Sequence, residues 1–138
     1  WANALHVHEE AYRTSKGSWL ACCRQGKEQV CDVPDPLPGD LYLDNWIARK
    51  GLKMLSQRPA NKPWFLQVNF AGPHTPMIVT EAMKESTRTR WFAPPVDHKK
   101  PNPNNESDNA ITRRLYAAEI ENIDYWFGQY IKMIDSLG

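Results

Sequence analysis

Trp64-Phe65-Leu66-Gln67-Val68-Asn69-Phe70-Ala71-Gly72-Pro73-His74-Thr75-Pro76 is the stretch whose reading decides the fold. Its first seven residues are aromatic or β-branched in the main. Lys62-Pro63 and Ala71-Gly72-Pro73 bound them, which is the composition and punctuation of a strand. Trp64, Leu66, Val68 and Phe70 share one face under a two-residue period, and Phe65 adds an apolar group to the other. Apolar character on both faces predicts a strand inside a parallel sheet covered by helices. Pro73 and Pro76, so close together, exclude any continuation as strand or helix.

Upstream, Leu43, Ile47, Met54 and Leu55, with Trp46 beside them, fall near helical spacing. They predict a helix from Asp40, as its cap, to Gln57, with Pro59 stopping it. Gly51 lies inside that helix, where glycine costs roughly 1 kcal/mol against alanine. Downstream, Met77 to Asn109 is polar and rich in proline (Ala93-Pro94-Pro95, Pro101-Asn102-Pro103) and reads as a long loop, with Met83 on a short helix. Tyr116, Ile120, Ile123, Phe127, Tyr130, Ile134 and Leu137 then recur every three or four residues. They predict an amphipathic helix capped by Asp108 or Asn109 and ended by Gly138. A helix, a strand and a helix in this order suit an α/β fold with long irregular loops. Residues 1–39, ending in Pro34, Pro36, Pro38 and Gly39, read as an irregular surface excursion of the same domain, and 40–138 as its main part.

The 138 residues carry a net charge of +1, which gives no support for nucleic-acid binding, and no apolar run is long enough for a membrane span. Lys99-Lys100 reads as solvated loop charge. Cys22, Cys23 and Cys31 are an odd number, which argues against a self-contained disulfide framework. A bridge from Cys31 to either of the others stays open. His6 and His8 complete no zinc spacing with them. Asn105-Glu106-Ser107 is a glycosylation triplet of a kind that also arises by chance.

Ligands of open α/β sheets bind beyond the carboxyl ends of the strands. His74 falls at such an end, between two prolines that would stiffen the backbone around it, and Thr75 follows it. An imidazole held there can donate to an anionic oxygen or protonate a leaving group. The bland reading is a histidine that only bonds a neighbouring loop. No Gly-x-Ser-x-Gly elbow, phosphate-cradling glycine loop or His-Glu-x-x-His pair is present. Glu119, Glu121 and Asp124 on the final helix read as surface or structural charges, and Trp46 and Trp126 as core or interface aromatics.

The strand ending in Pro73-His74-Thr75-Pro76 resembles the sulfatase strand that ends in a Pro-His-x-Pro turn. Arg114 to Asp124, continuing through Gly128 to Gly138, resembles the helix that follows it in that family, and Asp44-Asn45-Trp46-Ile47 resembles the helix before it. The resemblance covers Asp40 to Gly138. It implies the fold of the alkaline phosphatase superfamily, a parallel sheet flanked by helices, and hydrolysis of small-molecule or glycan sulfate esters. It also implies a formylglycine nucleophile made from Cys or Ser, with a calcium ion beside it. His74 would then be the catalytic contact to the transferred group, with His74 and Thr75 binding substrate.

The departures are as informative. Cys22-Cys23-Arg24 and Cys31-Asp32-Val33-Pro34 do not form the modification motif, and the family's calcium carboxylates have no counterpart, so no metal ligand is assigned. The chain is accordingly expected to be a middle portion of a longer enzyme, inactive alone, with nucleophile and Ca2+ ligands outside it. Secretion, a periplasm or a lysosome would all suit the family. A phosphonate or phosphodiester hydrolase of the same superfamily, or a non-catalytic binding domain with the sulfatase fold, are the alternative readings.

Overall fold

The structure is a computed structural model that describes residues 34–35, 37–93 and 105–137, with side chains of the last stretch from 109. The expectations for His6, His8, Cys22, Cys23, Cys31, Lys99 and Lys100 lie outside the described residues.

Pro38 to Leu41 closes a turn, Leu41 N–H donating to the Pro38 carbonyl at 2.8 Å. The chain leaves it as α1, Leu43–Ser56. Tyr42, not the expected Asp40, precedes the helix, and no side chain caps it. Its buried residues are Asp44, Ala48, Gly51 and Leu55, a single face spaced by three and four. Leu43 and Met54, expected in the core, are exposed. Two of the four contact positions are therefore Ala and Gly, and this lets neighbouring segments come close to the helix axis. Tyr130 uses that room. Its hydroxyl donates to the Ala48 carbonyl at 2.7 Å, and its ring lies where a Gly51 side chain would be. Burial holds the Tyr130 hydroxyl above its ordinary pKa.

Trp64–Phe70 follows, and here the α/β expectation is overturned. Its side chains do alternate: Leu66, Val68 and Phe70 are half-buried, while Phe65 is 86 % exposed. They pack with Leu52, Trp126, Met133 and Leu137 around Ala48, Leu55 and Tyr130, so helices cover one face. A sheet, however, needs a second backbone about 4.8 Å to the side. Among the described residues there is none, and the only β pairing there is an isolated parallel bridge between Asp35 and Thr80. The described architecture is helical, not a parallel sheet flanked by helices. The period-two pattern was satisfied by packing one stretch onto two helices, which composition cannot distinguish from a sheet strand.

Part of the expected loop is ordered by the same bridge. Asp35 N–H donates to the Val79 carbonyl at 2.8 Å, and Met77 and Val79 are buried against Leu115 and Ala118. Thr80 then caps α2, Glu81–Thr87, its hydroxyl accepting from Met83 N–H at 3.3 Å. Met83 lies on this short helix, as expected, and packs on the same core as Ile111.

The last helix, α3, spans Asn105–Leu137, 33 residues, and begins before the expected caps. It contacts both α1 and α2. Its buried positions are Leu115, Ala118, Glu119 and Tyr130. Tyr116, Ile120, Phe127 and Ile134 of the predicted apolar stripe are exposed instead. Ile120, Phe127 and Ile134 line an open groove of about 450 Å³ with Trp64, Leu66 and Phe70. Two polar ties fix α3 against α1. Trp126 Nε1 donates to Asn45 Oδ1 at 2.6 Å while Asn45 Nδ2 donates to the Gly39 carbonyl at 2.6 Å. Arg58, just past α1, donates from Nη2 to the Leu137 carbonyl at 3.0 Å, placing a cation at the negative end of α3. Arg58→Ala is expected to lower stability by about 1 kcal/mol in urea unfolding. An unchanged midpoint would show that water replaces the guanidinium at no cost. No described helix is long and apolar enough to cross a membrane.

Candidate functional site

The site begins with one carboxylate. Asp44 is the second residue of α1, where the helix N-terminus favours negative charge, yet it is only 2 % exposed. Its Oδ1 accepts from Ala71 N–H at 2.7 Å and its Oδ2 from Gly72 N–H at 2.9 Å. Both oxygens thus hold the two residues that end the apolar stretch. His74 N–H donates back to the Ala71 carbonyl at 3.2 Å and closes a turn. The Gly72–Pro73 and Thr75–Pro76 peptide bonds are cis. A Cβ on Gly72 would stand 2.8 Å from Asp44 Oδ2 and 3.3 Å from Glu119 Oε2, so the turn can sit on these two acids only with glycine there.

His74 and Thr75, the two residues expected to meet substrate, are both exposed on this turn. His74 Nδ1 lies 2.5 Å from the Thr75 carbonyl oxygen. A carbonyl can only accept, so Nδ1 carries the hydrogen and Nε2 is the ring atom left for a ligand. In the neutral ring Nε2 accepts, and in the imidazolium it donates.

Beneath the turn lies a cluster that the sequence reading did not assign. Glu119, on α3, is 3 % exposed, and its Oε2 has no hydrogen-bond partner among the described residues. Burial first, and then the charge of Asp44, push its pKa from 4.5 up to about 8. It is therefore a neutral carboxylic acid at pH 7. The buried Tyr42 hydroxyl is held above its ordinary value by burial and then by Glu119, Asp44 and Asp35. Asn122, less than one turn beyond Glu119, has a buried Nδ2 that is likewise unpartnered among the described residues. Glu119 was expected on the surface. The signal that locates it is its spacing, four residues past Leu115 and next to Ala118, on the face that enters the core. Asp44 is located the same way, by sharing a face with Ala48, Gly51 and Leu55.

The other two acids named on the final helix behave as surface charges. Asp124 is exposed, and Glu121 pairs with Arg90, its pKa lowered by hydrogen bonds from Ser86 and Arg90. Trp46 and Trp126 are half-buried, and Lys50 stacks its ammonium 5.2 Å from the Trp46 ring centre. Among the described residues no three His, Cys, Asp or Glu converge to hold a metal ion. The site thus has an exposed imidazole on a turn, one buried acid, Asp44, fastening that turn, a second, Glu119, lying against it, and no nucleophile of its own among them. No protein-family model matches the chain, and searches of curated proteins and of solved structures return no match either.

Proposed function

We propose that this chain is part of a sulfuric ester hydrolase and that His74 meets the sulfuryl group of the substrate. The observation that carries the reading is the Pro73-His74-Thr75-Pro76 turn, placed between segments that resemble those flanking it in sulfatases. Support comes from the way the turn is held: Asp44 fixes the amides of Ala71 and Gly72, while the His74 ring stays exposed with Nε2 uncommitted. As an imidazolium, His74 would donate from Nε2 to a sulfuryl oxygen or to the leaving oxygen, stabilising charge that grows in the transition state. Thr75 would add a hydroxyl beside it. The nucleophile and the calcium ligands that the resemblance calls for are not among the described residues. The substrate is a sulfate ester of a small molecule or glycan.

The test uses the longer protein that contains this chain. His74→Ala is expected to lower turnover of an aryl sulfate by about 10²-fold or more, the range for loss of a general acid. An unchanged rate removes His74 from the chemistry. Faster turnover of an aryl phosphodiester than of the sulfate moves the assignment to a phosphonate or phosphodiester hydrolase. No turnover of either, with retained binding of inorganic sulfate, moves it to a binding domain.

A further inference from the structure

We propose that Asp44 and Glu119 form a proton-operated latch under the Ala71–Pro76 turn: while Glu119 keeps its proton the turn is held, and when the proton leaves the turn loosens and His74 loses its place. As control of the site this rests on the reading of His74 given above; the latch itself does not.

The geometry comes first. Two carboxyl groups from two different helices converge on one glycine. Their oxygens Oδ2 and Oε2 would be 2.8 and 3.3 Å from a Cβ placed on Gly72, so both lie against the same small volume. Asp44 uses its two oxygens on the amides of Ala71 and Gly72. Glu119 Oε2 has no described partner and is buried. A second negative charge at that point would have no hydrogen bond to Oε2 from the described residues and would repel the carboxylate that holds the turn. Two unit charges a few ångströms apart in a dry site repel strongly enough to shift an equilibrium tenfold or more. The protonated form avoids this, and burial with the Asp44 charge keeps the proton in place up to a pH of about 8.

The other charges around Glu119 do not offset it. From α1 comes Asp44, and from the residue before α1 the Tyr42 hydroxyl, itself under the influence of Asp35. From the turn comes His74, which is exposed. On α2, Arg88 binds Glu81 and Glu85, and Arg90 beyond it binds Glu121 of α3. Arg114 of α3 donates from Nε to the Arg90 carbonyl at 3.3 Å. Loss of the Glu119 proton therefore leaves two acids facing each other against Gly72, and the repulsion acts on the carboxylate that holds the turn amides.

The experiment is solution NMR on the full chain. Solvent-exchange protection of the Ala71 and Gly72 amides is followed from pH 6 to 9.5, corrected for intrinsic exchange, in the wild type, Glu119→Gln and Asp44→Asn. Protection in the wild type is expected to fall about tenfold with a midpoint near 8, and to stay level in Glu119→Gln. Level protection in the wild type overturns the latch. So does an equal fall in Glu119→Gln, which would assign the titration to another group. Asp44→Asn is expected to lack protection at every pH, and retained protection overturns Asp44 as the anchor. If that variant does not fold, the Glu119→Gln comparison still decides. Inorganic sulfate is added in a separate arm while the His74 ring Hε1 resonance is followed. A working latch with no response of that resonance to sulfate would leave the latch standing and remove the functional reading. A response to sulfate without pH-dependent protection would do the reverse.

Discussion

Gly51→Ala is expected to destabilise the chain by about 3 kcal/mol, although alanine is the better helix former by roughly 1 kcal/mol. The added Cβ would lie 2.0 Å from the Tyr130 hydroxyl oxygen, 2.9 Å from Val68 Cγ2 and 3.0 Å from Tyr130 Cζ. Tyr130 is a stiff ring on α3, and it cannot retreat without giving up its hydrogen bond to the Ala48 carbonyl. Overpacking of this kind costs ~1–3 kcal/mol, and a buried Tyr130 hydroxyl left without its acceptor adds ~1–3 kcal/mol more. Urea unfolding measures the sum. Adding Tyr130→Phe to Gly51→Ala should recover part of the loss, because the oxygen that collides is gone and the two sites are in contact. A variant as stable as the wild type would mean that α1 and α3 do not approach each other as described.

The second large effect depends on pH. Glu119 holds its proton up to a pH of about 8 in the folded chain, against 4.5 for a free carboxyl. Below 4.5 both folded and unfolded chains are protonated there, and the group costs nothing. Between 4.5 and 8 the unfolded chain releases the proton and the folded chain does not, so stability falls as pH rises. At ~1.4 kcal/mol per pH unit the loss approaches roughly 4–5 kcal/mol at pH 8 and is constant above it. Glu119→Gln cannot release a proton, so this part of the pH dependence should vanish. The variant should gain on the wild type steadily from pH 5 to pH 8, reaching an advantage of about 4 kcal/mol. Parallel stability curves for the two proteins over that window would show that Glu119 ionises as it does in water.

The sequence revealed elements better than it revealed what they pack against. The helices around Leu43–Ser56 and Asn105–Leu137 and the short one at Met83 follow from spacing and punctuation, with their ends off by a few residues. The face of each helix was harder to read. Hydrophobicity pointed to Leu43, Ile47, Met54 and Leu55 on α1; Leu55 is in the core, but Leu43 and Met54 are exposed, and Ala48 and Gly51, whose advantage is small size, complete the contact. On α3 the predicted stripe divides: Tyr130 and Leu137 join the core, Tyr116, Ile120, Phe127 and Ile134 are exposed, and an acid, Glu119, is buried. Trp64–Phe70 shows why the α/β expectation failed. A two-residue period reports that one side of a segment is covered, and helices cover it as well as a sheet would. At the candidate site, residue type and flanking prolines pointed to His74 and the resemblance added Thr75, and both are exposed on the turn. The helix register could place Asp44 and Glu119 on inward faces, but not beneath the turn, because a carboxylate that bonds two distant backbone amides, as Asp44 does, leaves no sign in the residues around it.

Asn45 carries a consequence of a different kind. Its amide takes a hydrogen from the Trp126 indole with one end and gives one to the Gly39 carbonyl with the other. Aspartate, identical in shape, could serve the indole but would turn a bare oxygen toward the carbonyl. Leucine, close in volume, could do neither. A single nitrogen-for-oxygen exchange at this position, the change that spontaneous deamidation makes, would therefore set two lone pairs against each other at the place where three segments of the chain are pinned. The pinning of three segments thus turns on the identity of one atom that contributes almost nothing to the molecule's volume.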